Sequence, residues 1–319
     1  MGKKVSLRKI AQESGYALCT VSRALNSSAP VAEYTRKKVL AAAHKLGYLT
    51  SPRKQRIAII VNDVYFNTVY DKNISTALLK AIHDRGNIAL ILTAQDMDFL
   101  SLGWIDGIIS CCYDPSSERK IAKKYNLPIV CINNSSCFSE NIYAVNSDEE
   151  NAIRTALQLL VSNGHTKIAL LELESATVSC KLRKKHYENL MRKEFFLRPR
   201  VYTTLETQVW QGVQLVANEG MTAVIIPSEL QDNRCFHFCR FSGIKIPQDL
   251  SLITWESPGI SEFFQPPLTT MEQNFSQLAE QAVQLLEKLC SQKKVKLNNC
   301  TVPYILHNRQ SIENINSES

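Results

Sequence analysis

The sequence predicts two structural classes in one chain: an N-terminal all-α head on a helix-turn-helix plan, and a larger α/β core of two lobes. Three observations predict this. Apolar residues at helical spacing, separated by turn residues, fill residues 1–49. From Arg56 onward, short apolar runs alternate with helical stretches, the rhythm of parallel sheets covered on both faces. Charge is also divided. Residues 1–56 hold twelve Lys and Arg against only Glu13 and Glu33, a net +10, so the remainder carries −3 of the formal +7. A chain of 319 residues exceeds one ordinary core, and a hydrophobic content of 45% can bury several.

In the head, Ser6 is expected to cap a helix over Leu7–Ser14, with Leu7, Ile10 and Ala11 on one face. Gly15 suits the tight turn that follows. A second helix covers Leu18–Leu25, with Val21, Ala24 and Leu25 pointing inward. Residues 26–30 form a loop by composition. A third helix runs from Glu33 to Leu46 and stops at Gly47. On this plan the second helix enters a DNA major groove, where base edges carry a full donor and acceptor code. Leu18, Cys19, Thr20, Ser22 and Arg23 then lie on or near the DNA side. The hydroxyls suit phosphates or bases, and Arg23 suits a guanine edge or a phosphate. A plain three-helix packing unit is the bland alternative, and the charge of the head argues against it.

In the core, Ile57–Val61, Ile88–Leu92, Gly107–Ile109, Ile129–Ile132, Ile168–Leu171, Ala223–Ile226 and Leu252–Thr254 read as buried strands. Helices are expected near 75–84, 120–125, 152–162, 182–195, 209–218 and 273–289. Two successive α/β lobes imply a cleft where strand C-termini and helix N-termini meet.

Val5 through Ala11, Thr20-Val21-Ser22-Arg23-Ala24-Leu25-Asn26, and Thr35-Arg36 through Leu46-Gly47-Tyr48 resemble the head of the lactose-repressor/galactose-repressor (LacI/GalR) family. Gly164-His165, residues 246–253, Pro266-Pro267-Leu268-Thr269-Thr270 and residues 306–311 resemble its later core. The resemblance implies a periplasmic-binding-protein-like core with three crossovers, so that each lobe is discontinuous. Its division here is a head at 1–49, a linker at 50–56, a first lobe at about 57–146 and 273–290, and a second at about 147–272 and 291–312. It implies DNA contacts by Ser6, Asn26, Thr35 and Arg53 beside those of the second helix. It further implies a sugar-like effector between Arg183 and Glu256, with Ser228 and Glu229 nearby and Tyr65, Phe66 and Trp255 offering faces to a ring. Four positions depart from the family's pattern. Ala17 stands where a Ser cap is usual, Glu256 replaces an Asp, and Ser228-Glu229 replaces Asn-Asp. The alternative for Arg183 is a surface arginine in a basic helix. The alternative for the core is a dimerisation unit that has lost effector sensing.

The expected molecule is a cytoplasmic homodimer on a pseudo-palindromic, double-stranded operator, needing no cofactor and no membrane. No apolar signal region follows Lys3-Lys4, so export with the transport-type binding proteins is not expected. Dinucleotide-binding, phosphate-loop and metalloprotease motifs are absent, which argues against an enzyme. Cys235-Phe236-His237-Phe238-Cys239 fits no standard zinc spacing and reads as core. Pro52 leaves four residues before the first strand, too few for a hinge helix, and no leucine follows Pro52 in the linker.

Overall fold

In a computed structural model of the chain, the described residues are 5–26, 31–48, 54–62, 68–93, 96, 99–100, 104–112, 120, 124–134, 142–174, 178–229, 243–291, 295 and 300–318. Expectations that fall outside them include most of the linker (50–53), the Cys235–Cys239 segment and most of the helix expected at 120–125.

The head has the expected three helices, α1 (Leu7–Ser14), α2 (Leu18–Asn26) and α3 (Glu33–Lys45). Ile10, Val21, Ala24, Val39, Ala42 and Ala43 form their shared core. Gly15 ends α1 at φ 75° and donates its N–H to the Ala11 carbonyl at 3.0 Å, a left-handed stop that a side chain would strain. Ser6 occupies the N-cap position in extended geometry, but its hydroxyl makes no capping bond, contrary to expectation. The start of α1 is instead held by the Ser6 carbonyl, which accepts from the N–H groups of Lys9 and Ile10.

The core contains two six-stranded sheets. The first has the order β11-β5-β4-β3-β1-β2, all neighbours parallel. Its strands are β1 (Arg56–Ile60), β2 (Ile88–Leu92), β3 (Gly107–Ser110), β4 (Ile129–Ile132), β5 (Ile142–Ser147) and β11 (Cys300–Val302). The second has the order β12-β10-β9-β8-β6-β7, with only β12 antiparallel. Its strands are β6 (Ile168–Leu173), β7 (Arg200–Thr204), β8 (Ala223–Glu229), β9 (Ser251–Trp255), β10 (Thr269–Glu272) and β12 (Ile305–His307).

Helices cover both sheets, which is why the central strands are unbroken apolar runs. Along β1 and just beyond it, Ile57, Ile59 and Val61 face α4 (Val69–Asp84) and a late helix (Phe275–Cys290), while Ala58 and Ile60 face the opposite layer. Gly107 lets that late helix approach closely: a Cβ there would lie 2.8 Å from Leu286 Cδ1. In the second lobe, α5 (Glu149–Ser162) and α6 (Val178–Lys193) cover one face, and α7 (Val209–Asn218) covers the other. The late helix, α8, returns to the first lobe as expected.

The chain crosses between lobes after Ser147, after Glu272 and after Val302. The last crossing corrects the expected boundary at 291. Residues 300–302 extend the first sheet by pairing with the open edge of β5, and only then does the chain enter the second lobe. Three helices begin at the cleft end with side-chain caps: Thr68, Asp148 and Asn274 accept from the N–H groups of Asp71, Asn151 and Gln277. His165 is structural. It is buried between the Thr222 hydroxyl (3.0 Å) and the Glu313 carbonyl (3.1 Å), and burial lowers its pKa. Among the described residues no helix is long and apolar enough to cross a membrane.

Candidate DNA-binding face and interlobe cleft

On α2, Val21 and Ala24 are buried against the rest of the head, which turns the opposite face outward. Leu18, Cys19 and Arg23 are exposed there, with Thr20 and Ser22 half-buried beside them. Ser6 is exposed at the start of α1, and Thr35 is half-buried in the first turn of α3. Asn26 closes α2 but its side chain is outside the described set, as is Arg53. Both carboxylates of the head pair with lysines of α3: Glu13 with Lys45 at 2.7 Å, and Glu33 with Lys37 at 3.1 Å. Arg8, Lys9 and Arg23 therefore have no ion pair among the described residues, as a polyanion-binding face requires. Arg56 is the first residue of β1. Its N–H donates to Asp106 at 2.9 Å, and its guanidinium lies 3.5 Å from the same carboxylate.

Where the lobes meet, the structure separates two residues that the sequence had placed together. Arg183 is 5% exposed, so it is not the surface arginine of the alternative reading. Nor does it face Glu256. It donates to both Glu149 oxygens (2.7 and 3.1 Å), to the Pro227 carbonyl (2.9 Å) and to the Tyr304 hydroxyl (2.9 Å). Its guanidinium also stacks 4.9 Å from the centre of the Trp255 ring, which covers one face of an aromatic expected to be open to a ligand. Burial works against the Arg183 charge, and Glu149 together with Tyr304 and Cys180 more than offsets it, so the pKa is raised. Glu256, likewise buried, accepts from Arg309 at 2.8 Å and from Thr270. Arg183 and Glu256 thus each have a fixed partner of opposite charge within the second lobe, which is the condition for burying them at all.

Glu229 and Ser228 end β8, half-buried. Glu229 makes no hydrogen bond or ion pair among the described residues. Burial raises its pKa to about 7; Arg183 opposes that shift, and Asp71 across the cleft adds to it. Tyr65 and Phe66 lie outside the described residues.

Sequence reasoning missed Asp71, Glu149, Asn133, Gln273 and Tyr304. Asn133, at the end of β4 with φ 54°, donates to Tyr70 Oη (3.1 Å) and Gln273 (3.0 Å) and accepts from the Ser147 N–H (2.7 Å). This network ties two of the crossovers to the cleft floor. Thr68 and Asp71 did carry a signal, because Thr-x-x-Asp is a helix-start pattern. Glu149 belonged to an acidic run that reads equally as a helix start.

A basic three-helix head with an outward second helix, joined to a two-lobed core, defines a DNA-binding regulator of transcription. Comparison with known proteins agrees. Residues 6–51 match the model for bacterial regulatory proteins of the lacI family, and residues 157–312 match a periplasmic binding protein-like domain. An HTH-type transcriptional repressor PurR from Histophilus somni is 25% identical over 317 residues, covering 90% of this chain and 93% of that protein. Catabolite control protein A from Priestia megaterium is 27% identical over 336 residues, covering 96% and 99%. The fold also matches the lac repressor dimer bound to operator and the anti-inducer ONPF (TM-score 0.69, 21% identity, 98% and 100% covered). The chain thus carries a head that matches the lacI family and a core that matches a periplasmic binding protein-like domain. Its relatives are regulators rather than enzymes, and it is a transcriptional regulator, not an enzyme.

Proposed function

We propose that the protein is a cytoplasmic repressor that binds a pseudo-palindromic operator as a homodimer, with operator affinity set by a small, polar, sugar-like effector in the interlobe cleft. The observation that carries the effector reading is the state of the cleft's polar groups. Glu229 projects from the end of β8 without a bonding partner among the described residues, and Asp71 Oδ1 is buried without one. A buried polar atom left open, as Asp71 Oδ1 is, is costly unless a ligand or water satisfies it. Crossovers that share hydrogen bonds with the cleft floor give such a ligand a route to lobe closure.

Other proteins support this reading by likeness. A transcriptional regulator CelR, whose structure holds cellobiose, shares the fold at TM-score 0.68 and 20% identity, covering 96% of this chain and 99% of that one. The DNA contacts follow from the head: Arg23, Ser22, Thr20, Cys19 and Leu18 from α2, with Ser6, Asn26, Thr35 and Arg53 around them. A dimer is needed because one head buries too little surface for tight, specific binding.

A second reading also has an observation behind it. Arg183 and Glu256 are already paired internally, which favours a core that only dimerises. Capture of genomic fragments by the purified protein, followed by gel shifts on the recovered operator with sugars, sugar phosphates and nucleosides, separates the two. A compound that releases or tightens the operator supports effector control. A panel with no effect on operator affinity favours the dimerisation core.

A further inference from the structure

The outer end of the second lobe carries a line of cations around one exposed aromatic ring. After α6 the chain turns into an extended segment that leads to β7, and burial alternates along it. Phe195, Leu197 and Pro199 are half-buried, with Phe195 and Leu197 packed on the lobe's core, while Phe196, Arg198 and Arg200 are exposed. The segment is held in place. Leu197 donates its N–H to the Met191 carbonyl at 2.7 Å, and the Tyr187 hydroxyl accepts from the Arg200 N–H at 3.1 Å. Pro199 disfavours helical geometry at Arg198. Arg192 and Lys193 are exposed in the last turn of α6. Arg192, Lys193, Arg198 and Arg200 have no ion pair among the described residues, and the acid between them, Glu194, is answered by Arg154 at 2.9 Å. Phe196 is 84% exposed at φ 55°, a left-handed position that glycine or asparagine usually fills and a bulky residue rarely does. Its ring adds nothing to the core and is open to a partner. This patch is remote from the head. The chain enters the core at the start of β1 and crosses between lobes at strand ends, so β7 begins at the far end of the molecule.

We propose that this patch binds a single nucleic-acid strand, with successive phosphates on Arg198 and Arg200, further backbone charge met by Arg192 and Lys193, and one base stacked on Phe196. Residues two apart on an extended segment lie roughly 6.6 Å apart, close to the step between phosphates of an extended strand. Cations that track a backbone, beside an aromatic face that takes a base, are the two parts of sequence-tolerant single-strand recognition. A duplex offers phosphates but keeps its bases stacked on one another, away from Phe196. An anionic bilayer offers charge, but one ring buries little apolar area in it. DNA and RNA strands share the chemistry that the patch reads. Because the patch is remote from α2, a strand held here leaves the operator face uncovered.

The test measures the fluorescence anisotropy of labelled oligothymidine and oligouridine, each about ten nucleotides long, with the full-length protein. The heads also attract polyanions, so the patch is read as the difference between wild type and variants that leave the head untouched. Phe196→Ala should weaken binding by roughly five- to a hundredfold, and Phe196→Trp should retain it. Arg198→Gln combined with Arg200→Gln should reduce the slope of log affinity against log salt by about 1.4. All three positions are exposed, so thermal unfolding should find each variant as stable as wild type. An abasic strand of the same charge should bind wild type as weakly as the intact strand binds Phe196→Ala. Equal affinity for the two strand types assigns recognition to phosphate and base alone, and tighter binding of oligouridine adds a 2′-hydroxyl contact. Affinity and salt slope that are unchanged in the Phe196 and arginine variants overturn the proposal and leave the strands on the heads. Equal binding of abasic and intact strands overturns the stacking on Phe196. Polyglutamate or phosphatidylserine vesicles that bind more tightly than either strand, and lose that binding in the same variants, would assign the patch to an acidic protein or a membrane and overturn the nucleic-acid reading.

Discussion

Arg183 shows how far the surroundings of one residue decide its role. Its ion pair with Glu149 has both side chains 6% exposed, so removing either partner leaves an uncompensated buried charge. Arg183→Ala should therefore destabilise the second lobe by roughly 3–5 kcal/mol even without a ligand. A melting temperature equal to wild type in calorimetry would show that the pair is not a stabilising one. Glu229 behaves in the opposite sense. Its folded pKa of about 7 exceeds the ordinary 4.5 because burial and the facing Asp71 outweigh the attraction of Arg183. Between those values the folded state holds a proton that the unfolded state has released. Stability is therefore fullest below 4.5 as far as this group is concerned, falls as pH rises towards 7, and is level above it. The loss is at most about 3 kcal/mol. Glu229→Gln should flatten that part of the pH–stability profile, and an unchanged slope in the variant would remove Glu229 as its source. In the head, Arg23→Ala should cost roughly 1–3 kcal/mol on the operator and much less on random DNA. Equal losses on both would make Arg23 a phosphate contact.

Among the elements, α2 and the linker govern DNA binding. α2 keeps Val21 and Ala24 inside, and this fixes which way Arg23 faces. Ala17 offers no side-chain oxygen to cap α2. Ala17→Ser should restore a cap and raise the stability of the head by on the order of 1 kcal/mol, read from urea unfolding. The linker prediction rests on composition. With Pro52 four residues from the start of the core and no leucine after it, the protein lacks an apolar wedge to unstack a base step. Permuted operator fragments should show weak bending by gel mobility. A sharp central kink would show that another segment supplies the wedge.

The whole molecule joins a +10 head to a core of opposite net charge, and its two sheets meet at three crossovers. Asp148, at the first crossover, bonds through its N–H to the Val302 carbonyl beside the third, and Gln273 at the second bonds to Asn133. Movement of one lobe therefore strains all three strands of the hinge together, as a two-state cleft requires. Homodimerisation belongs to this scale. Sedimentation at micromolar concentration should find a dimer, with or without operator, and a monomer in both conditions would overturn the two-half-site reading.

The sequence by itself determined the head almost to the residue and the alternation of the core. Local rules govern each of these: helical spacing, a glycine at a left-handed stop, and unbroken apolar runs for strands buried on both faces. β7 escaped because Arg200-Val201-Tyr202-Thr203-Thr204 is a half-exposed edge strand with little apolar pattern. β11 escaped because its pairing partner, β5, lies far away in sequence. Only the tertiary structure decided the partners of the buried charges. Arg183 was visible in the sequence, but its pairing with Glu149 rather than Glu256 depends on where a crossover places the first residue of α5. Electrostatic partnership follows distance in space, and the sequence encodes that distance only through the completed fold.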